Sequence, residues 1–277
     1  MLRDGVTGNW IGSFAGHKGA VWSCRLDPTG CLAATASGDF SAKVWDAITG
    51  KPLWDLPHKH IVKCCSFSPN SLELATGGHE GKLRIYTIPT ETTLAMTPRL
   101  EIDLPQKAVI TKCIWLEDNK TVLAASSDGA IRFYDTSASG SAALKEQLKV
   151  DAQVRDMEMT ALPDGRTILT VAAGKKVSFF HLHQPSSDGT SPHTLLYSYT
   201  MPIHFQEEGG ASLHPTTGKR FVAGGSDLWV RVFDLETGEE LECHKGHHGP
   251  IRCVRYAPDG KTYATGSEDG TIRLWKV

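Results

Sequence analysis

The chain repeats itself, and the repeat restricts the fold more than any other feature of the sequence. Residues Gly16–Asp46 and Gly246–Lys276 align without a gap. Each has Gly-His, an apolar run, a turn ending in Gly, a second apolar run, a tight turn with Asp, and a run that carries Trp. The His and the Trp are 28 residues apart in both copies, from His17 to Trp45 and from His247 to Trp275. A fixed period of this kind predicts a repeat architecture.

Four intermediate segments follow the same plan less closely, which gives six copies. Each copy contains three short alternating runs separated by turn residues, and a fourth follows, as at Lys51–Leu56 and Glu239–His244. Four short antiparallel strands per copy form a blade of a β-propeller, so we predict an all-β fold with almost no helix. The predicted repeats, within a single domain at 1–277, are about 15–57, 58–106, 107–150, 151–202, 203–246 and 247–277.

The phrases GH…WD in the first copy and GH…LW in the last resemble the WD-repeat family. The resemblance implies a hydrogen-bonded tetrad in a blade, made by His before the first strand, Thr on the second, Asp in the tight turn and Trp on the third. Such a tetrad makes physical sense, because a buried imidazole needs its tautomer fixed and a buried indole N–H needs an acceptor. The implied tetrads are His17, Thr35, Asp39 and Trp45 in the first copy, and His247, Thr265, Asp269 and Trp275 in the last.

The other four copies keep only part of this pattern. The second copy has a partial tetrad, and the third to fifth copies have lost the His or the Thr. We expect these blades to depend more on apolar packing than on the hydrogen-bonded network. The partial tetrad is His58, Thr76, Glu80 and Tyr86; the later substitutions are Gln106 and Ala124 beside Asp128, Gly174, and Ala223 beside Asp227.

The resemblance also raises the question of how many blades there are. Relatives of this kind have seven, so we expect a seven-bladed family fold that lacks the start of blade one, with 1–14 as its remnant. In the alternative, Trp10–Phe14 supplies the outer strand that the last copy lacks and closes a ring of six. An open ring would expose unpaired strand edges and apolar blade faces.

Composition excludes several classes of function. The formal net charge is −2 and the pI is about 6.6, without the excess of Lys and Arg typical of a dedicated nucleic-acid binder. The seven cysteines form no C-x-x-C pair, and the sequence has neither a signal-peptide pattern nor an apolar stretch of 18 residues. We therefore expect a reducing, non-membrane compartment. Five cysteines lie in predicted first strands, where we expect them to pack as small hydrophobic residues: Cys24, Cys64, Cys65, Cys113 and Cys253.

The chain has 12 histidines, some of them spaced as metal ligands could be. His58 and His60, like His181 and His183, are spaced so that both rings lie on one face of a strand, and Cys243 lies near several His residues. No group offers four ligands at the spacing of a structural zinc site. The sequence also lacks G-x-S-x-G, a Gly-rich phosphate loop and H-E-x-x-H. We predict a non-enzymatic protein with no cofactor, no metal and no small-molecule substrate.

One recurring position is a candidate for partner binding. The residue just after the first apolar position of the inner strand is Trp22, Lys63, Arg155 and Arg252 in four copies, and Thr111 in another. Propeller geometry would place these side chains near the mouth of a central channel, where cations and an indole would attract an acidic peptide. In the alternative interpretation they are simply solvated strand ends.

Several longer strings narrow the resemblance. HKGAVW, HKHIVK and GPIRCVRYAPDGKTYATGSEDGTIRLW are similar to the serine-threonine kinase receptor-associated protein family, and the similarity extends over 1–277. It implies a scaffold in the survival-of-motor-neuron complex, with Gemin-type partners, acting in spliceosomal snRNP assembly and mRNA splicing. It also implies binding to receptor kinases of the TGF-β class, a location in the cytoplasm and also the nucleus, and at most indirect contact with RNA.

Two other functions belong to WD-repeat proteins with related sequences. The WD-repeat subunit of translation initiation factor three shares the phrase around HKGAVW, but it is not expected to carry HKHIVK. Adaptors of cullin-type ubiquitin ligases carry Arg or Lys two places beyond W-D, where this chain has Ile48. The initiation-factor subunit therefore stays as the alternative, and a ligase-receptor role is disfavoured.

Overall fold

The computed structural model describes residues 1–138, 140–183, 191–203 and 209–277. Within these ranges the secondary structure consists of 25 strands and a single 3-10 turn at Pro105–Lys107, with no α-helix. The all-β prediction is confirmed. Across the described part of the chain, no helix has the length and apolar character needed to cross a membrane.

The chain divides into two compact units, and unit 1 is Met1–Val150. It begins with a two-stranded sheet in which β1 (Leu2–Arg3) pairs with β2 (Trp10–Gly12). Three four-stranded antiparallel sheets follow, in which each strand pairs with the next along the chain. We call them blade 1, with β3 (Val21–Leu26), β4 (Leu32–Ser37), β5 (Ser41–Asp46) and β6 (Pro52–Pro57); blade 2, with β7 (Val62–Phe67), β8 (Glu73–Gly78), β9 (Lys82–Thr87) and β10 (Pro98–Asp103); and blade 3, with β11 (Ile110–Trp115), β12 (Thr121–Ser126), β13 (Ala130–Asp135) and β14 (Ala143–Lys149).

Unit 2 is Asp151–Val277 and has the same organisation. Its described residues form two four-stranded sheets and one three-stranded sheet, again with sequential pairing. These are blade 4, with β15 (Val154–Ala161), β16 (Thr167–Ala173), β17 (Lys176–Leu182) and β18 (His193–Thr200); blade 5, with β19 (Gly210–Leu213), β20 (Arg220–Gly224), β21 (Trp229–Asp234) and β22 (Glu240–Lys245); and blade 6, with β23 (Ile251–Tyr256), β24 (Thr262–Ser267) and β25 (Ile272–Lys276).

The apolar core of each unit lies between neighbouring blades. In unit 1, Val44 of blade 1 packs in one cluster with Val62 and Leu74 of blade 2. In unit 2, Phe221 of blade 5 stacks on Phe233 of the same blade and contacts Phe179 of blade 4 at a ring-centroid distance of 4.9 Å. Blades 2 and 3 bury nearly every residue of their second strands and most of their third strands, because neighbouring sheets cover both faces, which explains the nearly unbroken apolar sequence of those strands.

Glycines on second strands make room for this packing. Gly77 of β8 faces Ile110 of blade 3, and a Cβ at Gly77 would lie 2.7 Å from Ile110 Cγ2. Gly224 of β20 faces Ile251 of blade 6, and a Cβ there would lie 2.8 Å from Ile251 Cγ2. Both isoleucines are fully buried. Each of these two glycines therefore leaves room for an isoleucine of the next blade.

An ion pair in unit 2 connects blades that are not neighbours. Arg255 of β23 donates from both of its Nη atoms to the carboxylate of Asp156 on β15, at 2.6 and 2.7 Å. Gly210 of β19 lies against the Asp156 carboxylate, and a Cβ at Gly210 would be 2.3 Å from Oδ2. Blade 5 has no side chain at this point. The first strands of blades 4 and 6 are therefore joined directly by two charge-assisted hydrogen bonds.

The cysteines divide between core and surface. All seven are free thiols; Cys64, Cys65 and Cys113 are buried, and burial raises the pKa of Cys65 to about 12. Cys24 and Cys253 are exposed, so the prediction that they pack as small hydrophobic residues is wrong. The alternation of a first strand shows which residues share a face, but it does not show whether a neighbouring sheet covers that face. The buried thiols lie on β7 and β11, which pack between sheets of unit 1.

We expect Gly224→Ala to lower the free energy of unfolding by about 1–3 kcal/mol, because its methyl group overpacks the buried Ile251. Gly77→Ala should behave in the same way against Ile110. Gly12→Ala is the control, because no atom lies within 4 Å of its added Cβ. Urea unfolding of the three variants measures the difference, and equal midpoints for Gly224→Ala and Gly12→Ala would contradict the packing account.

Candidate functional site

The structure brings the four residues of the first implied tetrad together in blade 1. The His17 Nδ1 atom lies 2.8 Å from Asp39 Oδ2, and its Nε2 atom lies 2.7 Å from the Thr35 hydroxyl. The Trp45 indole N–H donates to the same hydroxyl at 2.8 Å. A proton on Nδ1 satisfies all of these contacts, since Asp39 then accepts, Thr35 donates to Nε2, and Thr35 accepts from Trp45.

Blade 6 repeats this geometry. His247 Nδ1 lies 3.0 Å from Asp269 Oδ2, and Nε2 lies 2.8 Å from the Thr265 hydroxyl. The Trp275 indole donates to Thr265 at 2.8 Å. The Asp269 carboxylate also accepts from the backbone N–H of His248. In both blades the tetrad joins the loop before the first strand to the second and third strands.

The turn carboxylates stay ionised because they accept several hydrogen bonds. Burial alone would raise the pKa of Asp39, but the Lys18 N–H, the Ser41 hydroxyl and the His17 imidazole together hold it well below its usual range. At Asp269 the Thr271 hydroxyl and the His248 N–H lower the pKa in the same direction. Hydrogen bonds to the charged form thus outweigh desolvation in these turns.

The partial tetrad of blade 2 is connected differently. His58 Nε2 lies 2.9 Å from the Thr76 hydroxyl, which also shares a hydrogen bond with Tyr86. His58 Nδ1 lies 2.9 Å from the backbone carbonyl oxygen of Leu56, so a carbonyl fixes the tautomer. Glu80 instead pairs with Arg84 at 2.8 Å and accepts from the Lys59 N–H.

Arginines that sequence reasoning did not single out hold the turn carboxylates of three blades. Arg132 of blade 3, whose side chain is only 4% exposed, pairs with Asp128 at 2.6 Å. This contact and the Ser126 hydroxyl lower the pKa of Asp128 to about 2, against the effect of burial. Arg231 pairs with Asp227 in blade 5, as Arg84 does with Glu80 in blade 2. In blade 4, Gly174 occupies the turn at a φ of 60°.

The candidate partner-binding residues of unit 1 lie together. The Lys63 Nζ atom lies 3.1 Å from the centroid of the Trp22 ring, a close cation–π contact. Thr111 donates its hydroxyl to the Ala125 carbonyl oxygen within its own blade. In unit 2, Arg252 forms an ion pair with Glu268, and Arg155 is half-buried. A role for these four candidates in partner binding stays a prediction.

Three further side chains of unit 1 extend the surface around Trp22 and Lys63. The ring of Phe40 lies 5.3 Å from that of His60, and the His60 ring stacks on His79 at 5.2 Å. Burial and the charge of Lys63 both lower the pKa of His79, so Lys63 and His79 are near neighbours. We call this group the aromatic–cationic surface: Trp22, Phe40, His60, Lys63 and His79.

The His and Cys residues do not assemble a metal site in the part of the chain that the structure describes. The rings of His181 and His183 are 4.3 Å apart, as their spacing predicted. Yet among residues 1–138, 140–183, 191–203 and 209–277, no group of three or more His, Cys, Asp or Glu is arranged to hold a metal ion. The arrangement around these histidines is one of ring contacts and single hydrogen bonds.

Two cavities lie in unit 2. One of about 500 Å³ is lined by Glu158, Thr160, Ser212 and Tyr256 among others, and three prolines form part of its wall. The other, of about 450 Å³, lies between blades 4 and 5 and is lined by Phe179, Tyr197 and Lys219 among others. The described lining of neither cavity contains His or Cys, so neither pairs a nucleophile with an imidazole base.

The blade sheets and the tetrads define a WD-repeat protein. A profile of the family described as WD domain, G-beta repeat matches residues 8–46, 50–87 and 238–276. In each of these three copies the His before the first strand shares a hydrogen bond with a Thr of the second strand. The prediction of a WD-repeat β-propeller fold with six blades is confirmed.

Comparisons over the whole chain show which WD-repeat proteins it is similar to. The chain is 40% identical to the serine-threonine kinase receptor-associated protein of Dictyostelium discoideum over 100% of its own length and 86% of that protein. It is 43% identical to the protein of that name from Gallus gallus, over 100% of its length and 72% of that protein. It is 29% identical to subunit I of eukaryotic translation initiation factor 3 from Culex quinquefasciatus, over 97% of this chain and 84% of the subunit. The chain belongs to the serine-threonine kinase receptor-associated protein family.

We expect Thr35→Val to lower the free energy of unfolding by about 2–4 kcal/mol, because His17 Nε2 and the Trp45 indole would both lose their buried partner. Thr200→Val is the control, because it makes the same substitution at an exposed position of β18. Its free energy of unfolding should be within about 0.5 kcal/mol of the wild-type value. Thermal and urea unfolding measure both. A similar loss for the two variants would show that the shared hydroxyl contributes little.

The His58 imidazole should make stability depend on pH. Burial and the nearby Arg84 lower its pKa from 6.5 to about 4 in the folded protein. The unfolded chain therefore takes up this proton at a higher pH than the folded chain. The neutral His58 imidazole therefore contributes its full stabilising effect to the free energy of unfolding above pH 6.5, and this effect is lost as the pH falls towards 4. We expect the free energy of unfolding to fall by at most about 3 kcal/mol across that interval because of this group.

His58→Gln should flatten the dependence of unfolding free energy on pH between 4 and 6.5, the interval that these two pKa values define. His183→Gln, at an exposed position, is the matched control and should leave the curve unchanged. Urea unfolding at a series of pH values provides the measurement. If both variants keep the slope of the wild type, His58 is not the group responsible.

Proposed function

We propose that this chain is a non-enzymatic protein scaffold that takes part in the survival-of-motor-neuron complex, in spliceosomal snRNP assembly and so in mRNA splicing. The observation that carries the proposal is identity of 40–43% over the whole chain to proteins of the serine-threonine kinase receptor-associated family. Identity to the initiation-factor subunit is lower, at 29%. The protein partners proposed are Gemin-type and Sm proteins.

The distribution of side chains supports a scaffold rather than an enzyme. The tetrad His, Thr and Asp residues are occupied in joining strands of their own blades, at distances of 2.7–3.0 Å. Loops and strand ends are the parts of a repeat blade that vary and bind partners. A formal net charge of −2 favours contact with RNA through proteins rather than directly. We propose that the protein works in the cytoplasm and also enters the nucleus.

The name shared by these relatives supports a second partner class. The curated proteins are called serine-threonine kinase receptor-associated, which states an association with such receptors for those proteins. By the family relationship, we propose that this chain also binds receptor kinases of the TGF-β class. The alternative is a subunit role in translation initiation factor three, favoured only by the 29% identity to subunit I.

Affinity purification of the tagged chain, followed by mass spectrometry, tests the proposal. We expect Gemin and Sm proteins to be recovered in preference to initiation-factor subunits. A variant with Thr35→Val and Thr265→Val, in which both tetrads lose their hydroxyl, is the control for non-specific recovery by a destabilised fold. Recovery of initiation-factor three subunits without Gemin or Sm proteins would overturn the proposed function in favour of the alternative.

A further inference from the structure

The cavity of about 450 Å³ in unit 2 has walls from two neighbouring blades, and we call it the blade 4–5 groove. Blade 4 contributes residues of its three outer strands, and blade 5 contributes its turns before β20 and after β21. Ligand sites in proteins have volumes of about 300–1,000 Å³, so the groove lies within the range of a binding site. Its apolar lining includes Ile168, Phe179, Leu196, Tyr197 and Leu235.

Unit 1 has a corresponding place between blades 1 and 2, and a segment of the chain itself occupies it. The connection from β9 to β10, residues 88–97, crosses to blade 1, and we call it the strap. Its Leu94 carbonyl oxygen accepts a hydrogen bond from the Trp54 indole N–H at 2.9 Å. Its Met96 side chain is 8% exposed and packs in one apolar cluster with Trp54. The strap therefore shows which chemistry this place between two blades accepts.

The strand register of blade 4 matches that of blade 1. Phe179 of β17 pairs with Tyr197 of β18 directly before a β-bulge. Val44 of β5 pairs with Trp54 of β6, and a bulge follows there too. Tyr197 therefore has the position of Trp54. Both are aromatic side chains with a hydrogen-bond donor at the outer end.

The turns that form the opposite wall match as well. In blade 5 the Leu235 N–H donates to the carbonyl oxygen of Lys219 at 2.7 Å. In blade 2 the Ile88 N–H donates to that of Leu72 at 2.9 Å. Leu235 belongs to the apolar cluster that blades 4 and 5 share, and Ile88 packs against the cluster of blades 1 and 2. The blade 4–5 groove and the place under the strap are therefore equivalent.

The two places differ in the connection that follows the third strand. In blade 2 this connection is the strap, at 88–97. In blade 5 it is only 235–239, which closes as a tight turn with Gly238 at a φ of 73°. Because this turn leads directly into β22, the described part of blade 5 supplies no counterpart of Leu94 and Met96.

The walls of the blade 4–5 groove are held in place by contacts between the two blades. The Tyr199 hydroxyl donates to the Leu235 carbonyl oxygen at 2.7 Å and lies 3.0 Å from that of Glu236. A Cβ at Gly238 would lie 2.4 Å from the Tyr199 ring, so the turn of blade 5 packs directly on blade 4. The Tyr197 ring stacks beside that of Tyr199 at 6.1 Å. A site whose walls are already fixed loses less entropy when it binds.

The rim of the blade 4–5 groove carries both signs of charge. Arg166 forms an ion pair with Asp164, and Asp234 accepts hydrogen bonds from two backbone N–H groups of its own turn. Lys219 and Glu236 are exposed at the rim. A peptide segment with charges of both signs beside an apolar residue complements this rim, whereas a nucleic acid carries negative charge only.

We propose that the blade 4–5 groove binds an extended peptide segment of a partner protein, through an unbranched or leucine-like apolar side chain. That side chain would pack on Leu196, and a backbone carbonyl oxygen two residues before it would accept a hydrogen bond from the Tyr197 hydroxyl. In unit 1 the strap makes both kinds of contact, with Met96 and Leu94. The inference deepens the proposed function and rests on it, because it names the kind of partner segment that the scaffold would hold.

The probe is a synthetic fluorescein-labelled peptide with the sequence of residues 90–98, TETTLAMTP, added to the full chain. We expect saturable binding in fluorescence anisotropy. The same peptide with Met96→Asp should bind at least about tenfold more weakly, because a carboxylate would be buried against apolar walls. Selection from a displayed random-peptide library should enrich Met or Leu with charges of both signs nearby.

Variants of the groove itself locate the binding. Leu196→Glu should weaken the probe peptide about tenfold or more, because it places a carboxylate in the apolar wall. Leu195→Glu is the matched control and should keep the wild-type Kd, since Leu195 is 53% exposed and is not among the described residues that line the groove. Tyr197→Phe removes only the donor, so it should weaken the peptide about threefold to tenfold and leave the Tm unchanged.

Several results would overturn the proposal: no binding of the probe and no selected peptides, equal Kd values for the Leu196 and Leu195 variants, or a wild-type Kd for Tyr197→Phe. Loss of binding in Trp54→Phe but not in Leu196→Glu would show that the probe displaces the strap from blade 1 instead. Binding of a labelled oligouridine that Leu196→Glu abolishes, without any peptide, would assign the groove to RNA.

Failure of this inference is distinguishable from failure of the proposed function. Probe binding that depends on Leu196, without Gemin or Sm proteins in the affinity purification, supports the groove alone. Recovery of Gemin and Sm proteins without any peptide binding at the groove supports the proposed function alone.

Discussion

The carboxylate in the tight turn between the second and third strands is the constraint on which five of the six blades depend. It is partly buried, so its oxygens need donors, and the donor differs from blade to blade. In blades 1 and 6 the donor is an imidazole, whose other nitrogen shares a hydrogen bond with Thr, and that Thr accepts a hydrogen bond from Trp. In blades 2, 3 and 5 an arginine of the third strand supplies it. Blade 4 has glycine in the turn and places no carboxylate there.

These two arrangements have different consequences for the rest of the blade. The imidazole joins three separate segments, because the loop before the first strand contributes the ring. The arginine joins segments closer in sequence, and in blade 2 it reaches the fourth strand, where Arg84 also pairs with Glu101 at 2.7 Å. In both, the turn acid finds its hydrogen-bond donors inside its own blade.

Much of the fold followed from spacing alone. The tetrads followed from the resemblance to the WD-repeat family, because the first and last copies have His, Thr, Asp and Trp at the positions of its motif. The fourth strands were placed to within a residue, as β6 at Pro52–Pro57 shows. The arginines were not foreseen, because an acid with a cation four places on also occurs at Asp39 and Lys43, where the cation pairs with Asp55 instead. Phe40, His60 and His79 lie in three different loops, so only the packing of two blades shows that they meet.

The bond between Asp156 and Arg255 has a consequence for how this chain can change. Repeat proteins gain and lose whole repeats, because each unit contacts mainly its neighbours. Here the two partners are on blades 4 and 6, and they meet only because blade 5 offers Gly210 between them. Deleting blade 5, duplicating it, or replacing it with a blade that has a side chain at that point would leave a buried carboxylate without its guanidinium. Blades 4 to 6 therefore depend on one another through this contact and are not three interchangeable units.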